Sequence, residues 1–173
     1  MGSLSDIYAD RADNEIMVAE SLKRLSEIED DKVNFDLPED ISFYSSVISH
    51  SYYAIFYAAK ALLLTKGIET KSPEVHKKTY EGFKKNFVDS KELDVSLLKI
   101  YKKMIVRADE LLEIFKEEKW KRGHFTYQTI PQANKEPAED SLKKAKFFVS
   151  NIMKVIKESQ KGESGQDARE RKN

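Results

Sequence analysis

The densest group of chemically active side chains lies in the short stretch from Lys119 to Tyr127, which combines cations, aromatic rings and an imidazole. The candidates for contact with a ligand are Lys121, Arg122, His124 and Tyr127. A guanidinium that faces a cleft needs an anion, and a phosphate or a carboxylate can supply one. Cations are also favourable at the C-terminal end of a helix, which offers a purely structural interpretation of the same residues.

Three histidines have side chains whose ordinary pKa lies near neutrality: His50, His76 and His124. Acid–base chemistry at pH 7 would most naturally use one of them. For His50 and His76, on apolar helix faces, the favoured interpretation is a packed ring that is hydrogen-bonded to a neighbour. No two histidines have the four-residue spacing of a helical metal site, so we expect no metal.

The absence of cysteine excludes disulfides, thiolate zinc sites, iron–sulfur clusters and cysteine nucleophiles. The sequence also lacks a glycine-rich phosphate loop, a dinucleotide fingerprint, a serine elbow and a calcium loop. We therefore expect no cofactor. Because no secretory signal and no uninterrupted apolar stretch of about 20 residues is present, we expect a cytoplasmic protein that does not cross a membrane.

The elements that position these side chains should all be helices. Six glycines and four prolines interrupt the chain, and apolar residues between them recur at steps of three and four. This pattern predicts an all-α protein, an up-and-down bundle of about five helices. The first helix should begin near Ser5 or Asp6 and end in the acidic stretch from Glu29 to Asp40, which we interpret as a loop. The second should extend from about Ile41 to Gly67.

Ser72 and Pro73 predict the cap and first turn of the third helix. One face of that helix carries His76, Tyr80, Phe83 and Phe87. The fourth helix should start near Lys91, with a seam formed by Leu93, Leu97, Ile100, Met104, Ala108, Leu111 and Phe115 that would reach Arg122.

Residues 123–136 have no helical period and should form a connecting loop. The last helix should follow Pro137, with a seam formed by Ala138, Leu142, Ala145, Val149, Ile152 and Ile156. The composition from Lys157 onward is polar and charged, which predicts a disordered tail over residues 157–173. Residues 1–156 should form a single domain.

The second helix is unusual because its segment Tyr52 to Leu64 contains Lys60 as its only charged residue. Apolar side chains therefore point in nearly every direction around the axis. Such a helix must be covered on most sides, either as the centre of the bundle or by a second copy of the chain.

The charges are segregated along the chain. Residues 1–40 contain 12 acidic and 4 basic residues, a net charge of −8, and the remainder has a net charge of +8. A basic second part could contact phosphates, but lysines spread along amphipathic helices more often form a solvated face.

The segment Ser49 to Leu63 resembles the signature helix of the HEPN domain family, in which the pattern Ser-Arg-x-Tyr-Tyr-Ala-x-Phe-x-Ala-Ala-x-Ala-Leu-Leu is typical. Lys71 to Phe83 is similar to the histidine-bearing third helix of that family. Arg122 with Tyr127 matches its Arg-x4-Tyr element. The resemblance covers about residues 10–156.

Two positions depart from the family pattern. His50 replaces the arginine before the tyrosine pair, and Thr126 replaces an acidic residue. Ribonuclease members of the wider family resemble one another in an Arg-x4-6-His motif that cleaves RNA without metal. The histidine positions counted from Arg122 are here Tyr127, Gln128 and Thr129, so this motif is not intact.

The resemblance implies a homodimer whose motif loops meet in a cleft that binds a nucleotide or an RNA phosphate. Arg122, His124, Tyr127 and Lys121 would line it, with His50 and Tyr53 of the signature helix as further binding residues. The resemblance also implies a nucleotidyltransferase partner in a toxin–antitoxin pair. Two alternatives are a metal-independent ribonuclease in which Arg122 and His124 are catalytic, and an interaction module without a ligand.

Overall fold

The computed structural model describes residues 3–121 and 135–170, with side chains described for residues 3–112 and 135–161. The helices are α1 (Leu4–Glu27), α2 (Glu29–Asn34), α3 (Tyr44–Thr65), α4 (Val75–Phe83), α5 (Val95–Lys121) and α6 (Lys135–Glu170). A π-helical turn, Lys84–Val88, extends α4. The described ranges contain no β-strand, which confirms the predicted all-α helical bundle.

The first helix begins where the sequence predicts, because Ser3 and Asp6 form a capping box. The Ser3 hydroxyl accepts a hydrogen bond from the Asp6 backbone N–H at 3.1 Å, and the Asp6 carboxylate accepts one from the Ser3 N–H at 2.7 Å. The predicted loop that follows is partly wrong, since it contains the short helix α2. Three acidic residues fill the first turn of α2, where they stabilise the positive end of the helix dipole.

The predicted cap of the third helix is wrong. The Ser72–Pro73 peptide bond is cis, and Glu74 adopts a left-handed conformation with φ of 59°. The helix therefore begins at Val75, without a side-chain cap at Glu74. The next helix starts at Val95 rather than near Lys91, which itself has a φ of 63°. Asp94 accepts a hydrogen bond from the N–H of Ser96 at 2.7 Å and caps that helix.

Helix α3 lies at the centre of the bundle. It packs against α1, α6, α4 and α5, and more than half of its residues are buried. It ends at Thr65, and Gly67, with a φ of 70°, is the left-handed residue that follows the helix end, as predicted. By length and composition α3 could also cross a membrane, but 67% of its most apolar window is buried inside the fold, and the core helix of a soluble protein passes the same test. One chain thus covers most of the apolar helix, which is the first of the two predicted ways to shield it.

Helix α5 is antiparallel to α3. Leu97 and Tyr101 share a buried cluster with the C-terminal half of α3, whereas Leu111 packs with Val47 and Ile48 near the beginning of α3. Of the predicted seam, Leu97, Met104 and Leu111 are fully buried, and Leu93, Ile100 and Ala108 are half-buried. Phe115 and Arg122 lie outside the described side chains. The end of α5 consequently lies at the end of the bundle where α3 begins.

Helix α6 buries all six residues of its predicted seam. It begins at Lys135, two residues before the expected start, and it continues to Glu170. This continuation differs from the disordered tail predicted from residue 157. Contact with α1 extends beyond Ile156, because the Gln160 amide donates to the Asp6 carboxylate at 2.9 Å. The domain boundary at residue 156 stays a prediction.

Candidate functional site

The structure describes only part of the predicted ligand site. Arg122, His124 and Tyr127 lie outside the described residues, and Lys121 is the last residue of α5, with only its helical backbone described. His50 lies one helical turn before Tyr53 on α3. The described side chains that could contact a ligand lie on α1, α3 and α4. The described side chains that precede and follow residues 122–134 in the chain lie on α5 and α6.

A cluster of charges joins α5 to the first turns of α6. The Arg107 guanidinium donates to the Pro137 carbonyl at 3.1 Å and to the Ser141 hydroxyl at 2.7 Å, and it pairs with Asp140 at 2.8 Å. Lys144 and Lys103 reach the same carboxylate at 2.6 and 3.3 Å. We call Asp140 and its three cations the Asp140 cluster. It fixes the beginning of α6, directly after the segment that carries Arg122.

The electrostatics of the Asp140 cluster agree with its geometry. Burial opposes ionisation of Asp140, but hydrogen bonds from Lys144, Lys103 and Arg107 outweigh it and lower the pKa of Asp140 to about 2. Burial, together with the neighbouring Lys103, lowers the pKa of Lys144. The carboxylate is therefore ionised at neutral pH, and each of the three cations has an acceptor.

A second group of ion pairs joins α6 to the end of α1. Lys23 pairs with Glu27 at 2.7 Å and with Glu139 at 3.2 Å, and Lys135 pairs with Glu27 at 3.4 Å. Lys23 and Glu27 are both half-buried. These contacts and the Asp140 cluster hold the start of α6 against two other helices, so they fix the point at which the chain resumes after residue 134.

The facing surfaces of α1 and α3 carry a row of aromatic and charged side chains. The Tyr57 ring stacks on Tyr8 with centroids 5.9 Å apart and on Tyr53 at 6.1 Å. The Arg11 guanidinium carbon lies 5.6 Å from the Tyr8 ring centroid and 5.7 Å from that of Tyr57. We call Tyr8, Arg11, Tyr53 and Tyr57 the aromatic face. Because Tyr53 is 39% exposed, the face is accessible to a ligand.

His50 lies beside the aromatic face but has a partner of its own. Its Nδ1 lies 2.5 Å from a carboxylate oxygen of Glu15 on α1. This contact agrees with the structural interpretation of His50 as a packed, hydrogen-bonded ring. A binding role for His50 stays a prediction.

His76, in the first turn of α4, lies against the signature helix. Its Nδ1 is 2.8 Å from the Tyr52 hydroxyl, and its ring stacks on Phe56 with centroids 4.1 Å apart. Burial, and then the nearby ammonium of Lys60, lower the pKa of His76. Burial likewise raises the pKa of Tyr52. Both shifts favour a neutral Tyr52–His76 pair at pH 7.

Lys60 is the most unusual cation of the described part of the chain. The residue is only 9% exposed, and its ammonium lies 4.5 Å from the centroid of the Tyr8 ring. The described residues offer its Nζ no hydrogen bond and no ion pair, so the cation–π contact is its polar interaction within the fold. Lys60 is not among the site residues predicted from the sequence, although its position as the single charge in the apolar segment Tyr52 to Leu64 is a visible signal.

Two other features do not extend the site. Among residues 3–121 and 135–170, no group of three or more histidine or acidic side chains could hold a metal ion. An open cleft of about 680 Å³ between α1 and α6 is lined by Asp10, Asp13, Lys146, Lys154 and neighbours of mixed charge. Opposite charges line this cleft together, so it has no strong preference for one ligand charge.

Comparisons with known proteins identify a family. The sequence model of the HEPN domain matches residues 20–156. The chain is 33% identical over 114 residues to "Putative toxin MJ0142" of Methanocaldococcus jannaschii, which covers 66% of this chain and 66% of that protein. It is 31% identical over 115 residues to "Putative toxin MJ0605" of the same organism, with 66% of this chain and 72% of the relative covered.

A bacterial relative is similar over the same length. The chain is 29% identical over 113 residues to a "UPF0332 protein" of Thermotoga maritima, covering 65% of this chain and 73% of that protein. No solved structure matches the chain significantly. The matched region is about two thirds of this chain in all three relatives.

Proposed function

This chain belongs to the HEPN domain family, and we propose that it is a dimeric module that binds a nucleotide or an RNA phosphate through Arg122, His124 and Tyr127. The observation that carries the proposal is the family match over residues 20–156, which includes the Arg-x4-Tyr element. Lys121, directly before Arg122, adds a further cation at the end of α5. A guanidinium at this position can hold a phosphate through two parallel hydrogen bonds.

The contacts around the segment support the same proposal. The Asp140 cluster and the Lys23–Glu27 ion pairs fix the start of α6, where the chain resumes after Arg122, His124 and Tyr127. A binding group is effective when its supporting elements are rigid, because little ordering free energy is then lost on binding. The partnered charges next to the segment thus serve as its support.

Two relatives carry the name "Putative toxin", which supports a role in a toxin–antitoxin pair. We propose that this chain is the HEPN component of such a pair, that its partner is a nucleotidyltransferase, and that it acts in the cytoplasm. Binding without efficient RNA cleavage fits the sequence better than catalysis. Tyr127, Gln128 and Thr129 occupy the positions at which ribonuclease members carry a histidine.

Binding of a fluorescent single-stranded RNA, followed by anisotropy, tests the proposal. We expect Arg122→Ala to weaken binding about tenfold or more, because a charge-assisted contact contributes about 1.5–3 kcal/mol. Helical content and the unfolding midpoint should not change. Lys66→Ala is the control, since Lys66 is an exposed cation that pairs with Glu92 just after the end of α3, at the end of the bundle opposite to the end of α5. Unchanged RNA binding together with a large loss of stability in Arg122→Ala would refute the assignment.

The state of the RNA after binding separates this proposal from a ribonuclease. We expect the RNA to remain intact in the presence of EDTA. Cleavage that survives EDTA and disappears in His124→Ala would replace the binding module with a metal-independent enzyme. Capture of a nucleotidyltransferase with no RNA or nucleotide binding would instead indicate a pure interaction module.

The proposed homodimer has its own test. A chain of 20.0 kDa should sediment as a particle of twice that mass at micromolar concentration. Because α3 is largely covered within one chain, the dimer proposal rests on the family resemblance and not on the apolar helix. A monomer that binds RNA with full affinity would contradict the dimer and leave the binding proposal intact.

A further inference from the structure

Lys60 carries a charge that no described residue neutralises. The residue is about nine-tenths buried, and its ammonium faces the Tyr8 ring at 4.5 Å. The ammonium still reaches solvent, and it has no hydrogen-bond or ion-pair acceptor among the described residues. The cation–π contact with Tyr8 is weaker than a charge-assisted hydrogen bond to an anion. The Nζ of Lys60 is therefore available to an anion from outside.

The groups beside Lys60 include a second cation. Arg11 lies on the same Tyr8 ring, and no carboxylate of the described residues pairs with it or with Lys60. The carboxylate of Glu15 lies near Tyr57, but its contact is with His50. His76 is close enough to Lys60 for the ammonium to lower the pKa of its imidazole. This region thus offers two permanent cations and one imidazole to an incoming ligand.

The charge and shape of this region point to a dianion. A single carboxylate would neutralise one of the two cations, whereas a phosphate monoester carries close to two negative charges at neutral pH. Its three free oxygens can accept from Lys60 and from the outer N–H groups of Arg11 at the same time. We propose that Lys60 and Arg11 form a binding site for a phosphate monoester on the aromatic face.

The aromatic face also selects among phosphate monoesters. Tyr53 is 39% exposed and stands next to the stacked Tyr57 ring. Exposed aromatic rings beside a cation can stack on nucleobases, which adds to the affinity that the phosphate contact provides. The site therefore prefers a nucleoside monophosphate to a sugar phosphate or to inorganic phosphate, although all three share the phosphate contact.

This site is separate from the one proposed at Arg122. Lys60 is in the last third of α3, about 24 Å along the helix axis from Tyr44, at 1.5 Å per residue. Because α5 is antiparallel to α3, the helix end that precedes Arg122 lies at the opposite end of the bundle. The inference goes beyond the proposed function and does not depend on it.

Isothermal titration calorimetry on the full chain, at fixed ionic strength, tests the site. The ligands are adenosine 5′-monophosphate, ribose 5-phosphate, inorganic phosphate and acetate. Lys60→Met removes the charge and keeps the side-chain length, and we expect it to weaken binding of the nucleotide about tenfold or more, the effect of one charge-assisted contact. Arg11→Gln, an exposed substitution that does not threaten folding, should weaken it by a smaller factor.

Two control variants isolate the effect. Lys66→Met removes the same charge from the exposed end of the same helix, where Lys66 pairs with Glu92. Arg122→Ala removes the proposed ligand contact at the other end. Lys66→Met should retain binding of the nucleotide within about twofold, as expected for an independent position. Arg122→Ala instead identifies any nucleotide binding that belongs to the site proposed at Arg122.

Each result decides for or against the site. Nucleotide binding that is weakened in Lys60→Met and retained in Lys66→Met supports it. Loss in Arg122→Ala alone overturns it and supports only the proposed function. Absence of binding at millimolar ligand, or equal competition by acetate, also overturns it. A change of particle mass in Lys60→Met without any phosphate effect would make the face a contact between copies and overturn the ligand site.

Discussion

Cations gather in two regions of this bundle, around Asp140 at the start of α6 and beside the aromatic face at Lys60. In the first region Lys103, Arg107 and Lys144 share one carboxylate, and Arg107 also binds a carbonyl and a hydroxyl. In the second region Lys60 is more deeply buried than Arg107, and among residues 3–112 and 135–161 its polar contact is with an aromatic ring.

The difference separates charges that hold the fold from charges that are available to a ligand. A partnered cation loses an interaction when it is removed, so the folded state becomes less stable. A buried cation without an acceptor destabilises the folded state, and its removal should have the opposite sign. Stability measurements on the two regions can therefore test the functional assignment before any ligand is identified.

The largest stability effect is expected at Arg107. Arg107→Met should lower the free energy of unfolding by about 2–3 kcal/mol, because it removes three polar contacts at once, to Asp140, to the Pro137 carbonyl and to the Ser141 hydroxyl. Urea unfolding followed by circular dichroism measures the change. A loss below about 0.5 kcal/mol, the usual range of surface substitutions, would mean that the Asp140 cluster does not support α6.

The pH dependence of the Asp140 cluster is the next effect in size. The pKa of Asp140 is lowered from an ordinary value of 3.8 to about 2, so the contribution is complete above pH 4 and is lost as the pH falls through 2. Because solvent reaches this carboxylate, we expect its ionised form to contribute about 1–2 kcal/mol to the free energy of unfolding. Wild type and Asp140→Asn should therefore differ in stability at pH 6 and converge near pH 2. A difference that does not depend on pH would contradict the assignment.

The opposite sign is expected at Lys60. Lys60→Met should raise the free energy of unfolding by about 1 kcal/mol in phosphate-free buffer, since an apolar side chain of similar length replaces a buried charge without an acceptor. The same urea experiment gives the value. Destabilisation by a similar amount would show that Lys60 is a structural residue like Arg107.

The smallest expected effect is a change in the pKa of His76. Lys60→Met should raise the pKa of His76, because the ammonium is the second cause that holds it down. The pKa should stay below the ordinary value of about 6.5, because burial is the larger cause and remains. Proton NMR of the imidazole over pH 4–8 measures it. An unchanged midpoint would place Lys60 too far from His76 for both to contact one ligand.

Much of the fold follows from periodic patterns in the sequence. The seam of α6 is confirmed at all six positions because one helix face buries them together. The caps are less predictable. Ser72 and Pro73 have the composition of a helix start, but the left-handed Glu74 separates them from α4, and only the surrounding fold determines this.

The candidate site is predictable only where a signal is local. The sequence shows Lys60 as the single charge of an apolar segment, yet its neighbours Tyr8 and Arg11 are about fifty residues away in the chain. The Arg107–Ser141 hydrogen bond likewise joins positions that are 34 residues apart. Such pairs depend on how helices pack against one another, which no local pattern specifies. The prediction at Arg122, His124 and Tyr127 lies outside the described residues.

One measurement tests most directly the claim that Lys60, which has no ion-pair partner among the described residues, is the cation that binds phosphate. It is the thermal midpoint in 10 mM phosphate and in chloride, at equal ionic strength, for wild type, Lys60→Met and Lys103→Met. A ligand that binds the folded state raises the midpoint, whereas general salt effects act equally on all three proteins. We predict a phosphate-dependent rise in wild type and Lys103→Met and a clearly smaller rise in Lys60→Met, in which only the site proposed at Arg122 remains. An equal rise in all three proteins, or a loss in Lys103→Met alone, would contradict the account.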